Sequence, residues 1–224
     1  MTFSIVARSA DARLFGVAIA SSSPAVAARC AHARAGVGAV ATQNITDPSL
    51  GPGVLEVLGR GATPRAALDE VLSATPFAAY RQLLAIGGSG PPAIHSGAQA
   101  LGVVNTALGA HAAAAGNLLA NSAVPGAMMA AFEAATGHLG ECLLQALRAG
   151  LDRGGEAGPV HSAGLLIVRD VSWPIVDLRV DWSDDDPLAA LSAIWQRYAP
   201  QIDDYVRRAL DPSHAPSYGV PGDV

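Results

Sequence analysis

From Gln82 to Phe132 the chain carries no charged side chain at all. A run like this invites a membrane reading, since a span needs about 20 apolar residues. Gly87-Gly88, Pro91-Pro92, His95, Gln99, Asn105, His111 and Asn117 interrupt it. It therefore reads as buried sheet with polar groups turned toward an interior site, and no membrane association is expected. Aromatic residues are scarce as well, at 5% of the chain against 50% hydrophobic overall. The core must be built from Ala, Val and Leu, which favours close backbone packing. Lys/Arg clusters are missing and the net charge is -5, which excludes a nucleic-acid-binding surface. The two cysteines, Cys30 and Cys142, match no metal or disulfide spacing and read as buried thiols of a reducing compartment. The opening MTFSIVARSADAR has no basic leader or apolar run with a cleavage site, so a cytoplasmic protein is expected.

What is present is a patterned α+β chain. A length of 224 residues suits one domain, here residues 1–211, followed by a Pro/Gly-rich tail over 212–224. Phe3–Ala7 and Phe15–Ala20 read as a hairpin around Ser9, Ala10 and Asp11. Val37–Thr42 reads as a third strand. Gly51-Pro52-Gly53 breaks the chain ahead of a short helix ending near Gly59–Gly61. Thr63-Pro64 caps and opens the next helix, to about Ser73. Gln82–Ile86 and Ala93–Ser96 form a hairpin around Gly87–Pro92, and His111–Leu119 reads as strand. Two helices, Val124–Thr136 and Leu139–Arg153, are split by Gly137; Leu139, Leu143, Leu147 and Leu151 make one apolar stripe on the second. Ser162–Val168 is an apolar strand and Ile175–Trp182 an alternating one. Asp184-Asp185-Asp186 caps a long helix from Pro187. Hairpins imply antiparallel sheets, and helices arriving in pairs imply outer layers, so a helix–sheet–sheet–helix sandwich fits.

The chemistry starts at the second residue. Removal of Met1 would expose Thr2, whose hydroxyl is a weak nucleophile alone. A free α-amine on the same residue titrates at about 7.7–8.0 and can serve as its base. A strand beginning there would hold both groups at a sheet end; equally, many chains open Met-Thr and run into a strand with no chemistry. Ser21, at the end of the hairpin partner, is placed to orient the amine or a water, or is simply a turn residue. Gln43, Asn44 and Asn117 lie at strand ends. As buried amides they either stabilise an oxyanion or close off the strands. Gly116 adds a backbone N–H beside Asn117. The histidines, His95 among them, fall in no HExxH pattern, which gives zinc no support. No GxSxG elbow is present, so a Ser/His hydrolase built on Ser21 or Ser96 has nothing to specify its base. No metal or cofactor is expected.

Several segments in order, TFSIVAR, GVAIAS, ARAGVGAVATQN (33–44), AGNLLANSAV (115–124), AAFEA (130–134), SAGLLIV (162–168), VDLRVDW (176–182) and PSYGVPGD (216–223), resemble domain-of-unknown-function family 1028, placed in the N-terminal-nucleophile (Ntn) hydrolase superfamily. The resemblance implies a four-layer αββα sandwich and an exposed N-terminal nucleophile, here Thr2, acting on amide bonds of small molecules or short peptides. Arg34 falls in the matching ARAG segment. It either lowers the amine's pKa, anchors a substrate carboxylate, or forms a surface ion pair. With Asn44, His95 and Gly116 it makes up the expected substrate-binding set, beside the catalytic set Thr2, Ser21, Gln43 and Asn117. The chain departs from the family pattern at Ser49-Leu50, at Gln99–Leu101 and Val103–Asn105, and at Glu156–Ser162. The departures point to the alternative, a small-ligand-binding protein without turnover on the same scaffold. An Ala-rich, charge-poor surface also suits a homo-oligomer.

Overall fold

The computed structural model describes residues 1–219. The central hairpin joins β1 (Thr2–Arg8) to β2 (Phe15–Ser21). There follow α1 (Val26–Cys30), β3 (Ala31–Arg34), β4 (Gly38–Asn44), α2 (Leu50–Gly59), α3 (Pro64–Ser73), β5 (Arg81–Gly87) and β6 (Ala93–Ser96). The second half holds β7 (Asn105–Leu108), β8 (Ala112–Asn117), α4 (Val124–Ala134), α5 (Leu139–Asp152), β9 (Ser162–Val168), β10 (Val176–Val180), α6 (Pro187–Tyr198) and α7 (Ile202–Leu210). The strands form two antiparallel sheets, one ordered β10-β9-β2-β1-β8-β7 and one ordered β3-β4-β5-β6. The chain is thus α+β with two antiparallel sheets and flanking helices. No helix among the described residues is long and apolar enough to cross a membrane.

Alternation along the strands divides the core. Successive side chains point to opposite faces, so Phe3, Ile5 and Ala7 of β1 pack with Met128, Leu143, Leu147, Leu191 and Trp195 from α4, α5 and α6. Val6 joins Val17, Ile19, Ala113 and Ala115 of its own sheet and Ala39, Ala41, Leu84 and Ile86 of the other. The outer face of the second sheet, with Val40, Leu83 and Ala85, meets Val54, Leu58 and Leu68 of α2 and α3. Alanine supplies much of the contact between the sheets, which is how so few aromatics suffice. Such packing leaves no slack for extra atoms. A Cβ at Gly38 would stand 2.2 Å from the backbone oxygen of Ile86, an atom fixed by its strand. Gly38→Ala is therefore expected to cost about 1–3 kcal/mol, visible as a lowered midpoint in urea unfolding.

The caps form as the sequence implies. Thr63 Oγ accepts from Ala66 N, and Asp186 accepts from Leu188 N and Ala189 N. Other expectations are corrected. The helix expected after Gly51-Pro52-Gly53 starts at Leu50 and runs through them; Pro52 falls in the first turn, where its missing N–H has no partner to lose. Gly51 is needed there because a Cβ would lie 2.1 Å from the His32 ring. The single long helix from Pro187 is broken by a 3-10 turn at Ala199–Gln201, where Pro200 cannot donate. The strand expected at Val37 is the fourth, since β3 precedes it. The tail opens with a 3-10 turn at Pro212–His214, and its last residues, 220–224, lie outside the described residues.

Candidate active site at the end of the first strand

Thr2 and Ser4 share the face of β1 that looks across to the second sheet. At this end the strand faces turn polar. β1 lies between β2, which ends in Ser21, and β8, which ends in Asn117, paired with Thr2 in register. Opposite them, Gln43 of β4 pairs with Gln82 of β5. Ser4, Ser21, Gln43, Gln82 and Asn117 are fully buried, and Thr2 is 6% exposed.

These groups form one hydrogen-bonded network whose amide orientations follow from its backbone contacts. Gln43 Nε2 donates to Gln82 Oε1 at 2.7 Å and lies 3.4 Å from the Ala115 carbonyl; Gln43 Oε1 accepts from Ser4 Oγ at 2.6 Å. Gln82 Nε2 donates to Gly116 O at 3.2 Å and Ser96 Oγ at 2.9 Å. Backbone carbonyls only accept, so both glutamines are fixed with their nitrogens inward. Gln82 Oε1 must then receive the nitrogen of Asn117, at 3.1 Å. This leaves Asn117 Oδ1, buried and without a donor among the described residues.

The hydroxyls meet at the chain's start. Thr2 Oγ donates to the Met1 carbonyl at 2.5 Å and lies 3.3 Å from Ser21 Oγ. Ser21 Oγ also donates to the Met1 carbonyl and accepts from Ser23 N at 3.0 Å. Ser162 Oγ donates to Ser23 O at 2.6 Å, and His161 N to Ser21 O at 2.9 Å, so β9 and its approach hold the Ser21 turn in place. The Met1 amine stands 4.0 Å from Glu156 Oε2. Glu156 is 3% exposed, its backbone bridges Leu119, and neither carboxylate oxygen completes a hydrogen bond among the described residues.

Burial pushes the Glu156 carboxyl up to about 7 from an ordinary 4.5, against the opposing pull of the amino terminus, Ser22 and His161. A raised carboxyl pKa means that the folded chain holds the proton more tightly than the unfolded one. This contribution favours the fold below about 4.5 and is lost as pH rises through about 7. Over that window it amounts to about 3 kcal/mol. Glu156→Gln is expected to flatten the fall in stability over this range, measured by urea unfolding at a series of pH values.

Of the residues expected at the site, Thr2, Ser21, Asn117, Gly116 and Gln43 come together. Asn44, next along β4, turns away. Its Nδ2 donates to Tyr80 O at 2.5 Å and its Oδ1 accepts from Leu101 N at 3.1 Å, so it clamps two loops. His95 pairs with Leu83 on the helix-covered face, its Nε2 3.1 Å from Ala78 O. Arg34 pairs with Gly38, and Gly38 with Gly87, whose carbonyl holds Arg8 at the far end of β1. Arg34 donates to Leu55 O and lies the length of β1, roughly 20 Å, from Thr2. It stands beside neither the amine nor the network, because β3 runs away from both. Residues not anticipated at this site are Ser4, Gln82, Ser162 and Glu156; Ser96, weighed as a Ser/His nucleophile, instead accepts from Gln82 at the edge of the network. A cavity of about 400 Å3, lined by Arg8, Leu14, His111, Met129 and Phe132, opens at the opposite end of β1 and shares no residue with the network.

The chain is thus an α+β protein in which a hydroxyl residue at the tip of a central strand faces a buried amide network contributed by both antiparallel sheets. The chain belongs to the family of unknown function DUF1028, whose model matches residues 2–191. It is similar to the crystal structure of protein SPO2555 from Silicibacter pomeroyi, of the same family. The two are 30% identical with a TM-score of 0.83, over 91% of this chain and 94% of that one. A looser likeness, with 13% identity and a TM-score of 0.40, is to Anbu (ancestral beta-subunit) from Yersinia bercovieri, over 91% of this chain and 97% of that one. No curated protein matches the chain.

Proposed function

We propose that this chain is an N-terminal-nucleophile hydrolase that cleaves a carbon–nitrogen bond of an amide in a small molecule or short peptide. Thr2 is the nucleophile once Met1 is removed, and residues 1–211 fold as one four-layer αββα sandwich. The observation that carries the reading is the Thr2 hydroxyl at the buried end of the central strand, in contact with a carbonyl oxygen that Ser21 Oγ also binds. In the intact chain that carbonyl belongs to Met1. After its removal the same two hydroxyls face the place where a substrate carbonyl would sit.

The steps then follow from the groups present. The Thr2 amine, a base near neutral pH, takes the proton as Oγ attacks the carbonyl carbon. Ser21 Oγ donates to the developing oxyanion. The amine passes its proton to the leaving nitrogen, the C–N bond breaks, and an ester to Thr2 remains. Water, activated by the same amine, hydrolyses it. Gln43 and Asn117 serve by holding the strand ends in register, since their side-chain N–H groups already bind Gln82 and backbone oxygens.

Intact-mass measurement of the purified protein, followed by a screen over linear and cyclic amides, ureides and short peptides, tests this directly. The expected result is a mass lacking Met1 and turnover that requires it; activity in a chain that keeps Met1 would overturn the mechanism. The second reading, a ligand-binding protein without turnover, is favoured by the contacts Met1 itself makes: its carbonyl occupies both hydroxyls and its amine faces Glu156. Ligand binding by both the parent and Thr2→Ala, with no product from either, would establish it.

A further inference from the structure

We infer that Glu156 and the free oxygen of Asn117 together receive the ammonium that Met1 removal leaves on Thr2, with Glu156 as the positioning residue that sets the amine's proton affinity. The inference rests on the reading of Thr2 as an N-terminal nucleophile.

Two independent features converge on it. Asn117 Oδ1 is a buried acceptor without a donor among the described residues, and the buried Glu156 carboxylate has Ser22 beside it but completes no hydrogen bond; a buried acceptor left so costs about 1–3 kcal/mol unless a donor meets it. Both flank the amino terminus. Asn117 is the register partner of Thr2, Glu156 bridges Leu119 two residues further on, and a Glu156 oxygen already stands 4.0 Å from the Met1 nitrogen. Loss of Met1 takes away a carbonyl, an acceptor held by two hydroxyls, and leaves an ammonium with three N–H donors in its place. The terminus thus changes from acceptor to donor where buried acceptors wait. The other titratable group at Glu156 is His161, whose Nδ1 lies 2.9 Å from Ser183 O and 3.9 Å from Asp184. An adjacent carboxylate stabilises the charged amine and is stabilised by it. The amine and Glu156 therefore titrate as a pair, and the amine gains its base form most readily when Glu156 carries the proton.

The sequence makes the test clean. All 14 basic side chains are arginine, so the α-amine is the chain's sole primary amine. A Thr2-first chain, released from a fusion cut directly before Thr2, is acylated with an amine-selective ester over a pH series and followed by intact mass. Glu156→Gln is expected to lower the midpoint of reactivity by about one pH unit or more, roughly a tenfold gain in free base at neutral pH. Glu56→Gln, on the exposed face of α2, should leave it unchanged. A folded Glu156→Gln chain with the parent midpoint overturns the inference. Should that variant not fold, the parent decides by the reciprocal effect. With the amine acetylated, the 13C-labelled Glu156 carboxyl should titrate at higher pH than in the free-amine chain, and an unmoved midpoint overturns the inference. None of these readouts needs a substrate. A chain that hydrolyses nothing therefore sinks the hydrolase reading, whereas an unmoved midpoint sinks this inference alone.

Discussion

Thr2→Ala is expected, on the proposed hydrolase reading, to lower turnover on the order of 10^4-fold or more, while thermal unfolding shifts by less than about 1 kcal/mol. The asymmetry follows from where the hydroxyl sits. Its structural contacts are the Met1 carbonyl, lost on processing, and a 3.3 Å approach to Ser21. Neither holds the strand, which is paired on both sides along its length by β2 and β8. Alanine is as compatible with methionine removal as threonine, so the amine is still exposed and only the nucleophile is missing. Thr2→Ser should retain measurable activity, because the attacking oxygen remains at the same strand tip. Steady-state rates on an amide found by the screen, beside a melting curve for each variant, check both halves. An alanine variant that works at the parental rate would remove Thr2 from the chemistry.

Gln82→Leu carries the largest expected loss of stability, about 3–5 kcal/mol. One side-chain amide there satisfies Gln43, Asn117, Ser96 and the Gly116 carbonyl. Leucine fills similar volume and offers none of them a partner, leaving two buried N–H groups and a buried carbonyl unsatisfied at once. At about 2–4 °C per kcal/mol for a chain of this size, the melting temperature should fall by about 10 °C. The damage should spread to the hydroxyls. Asn117 is released, the end of β8 loosens, and Thr2 loses its register partner. A Gln82→Leu protein that melts within a degree or two of the parent would show that the network contributes little.

The sequence displays those parts of the fold in which local pattern and tertiary demand coincide. The β1–β2 hairpin, the β5–β6 hairpin and the α5 stripe all keep their period over enough residues to be seen. β3 and β7 do not. Ala31–Arg34 and Asn105–Leu108 are short and partly exposed; the alternation in AHAR lasts only four residues, and NTAL has none. At the site, single polar residues at strand ends are visible in the sequence, but their partners are not. Gln43 meets Gln82 only because β4 and β5 pair in one register among several. The family resemblance puts Arg34 at the site, but β3 runs away from it and leaves Arg34 beside Gly38, at the end of β4 opposite Gln43. Glu156, in a glycine-rich loop, looks solvent-exposed until the Leu119 bridge closes over it. Its burial is a property of two segments far apart in the chain.

The hydroxyl clasp on the Met1 carbonyl carries a lesson about timing. In the finished fold Met1 keeps part of its surface exposed, but the linkage to Thr2 runs into a buried strand end where two hydroxyls hold the Met1 carbonyl. On the hydrolase reading, trimming is then easiest during synthesis, before β2 docks and its Ser21 hydroxyl closes on that carbonyl. Activity per molecule would thus depend on a race between nascent-chain processing and strand closure, and overexpression that outpaces the peptidase would yield well-folded but locked protein.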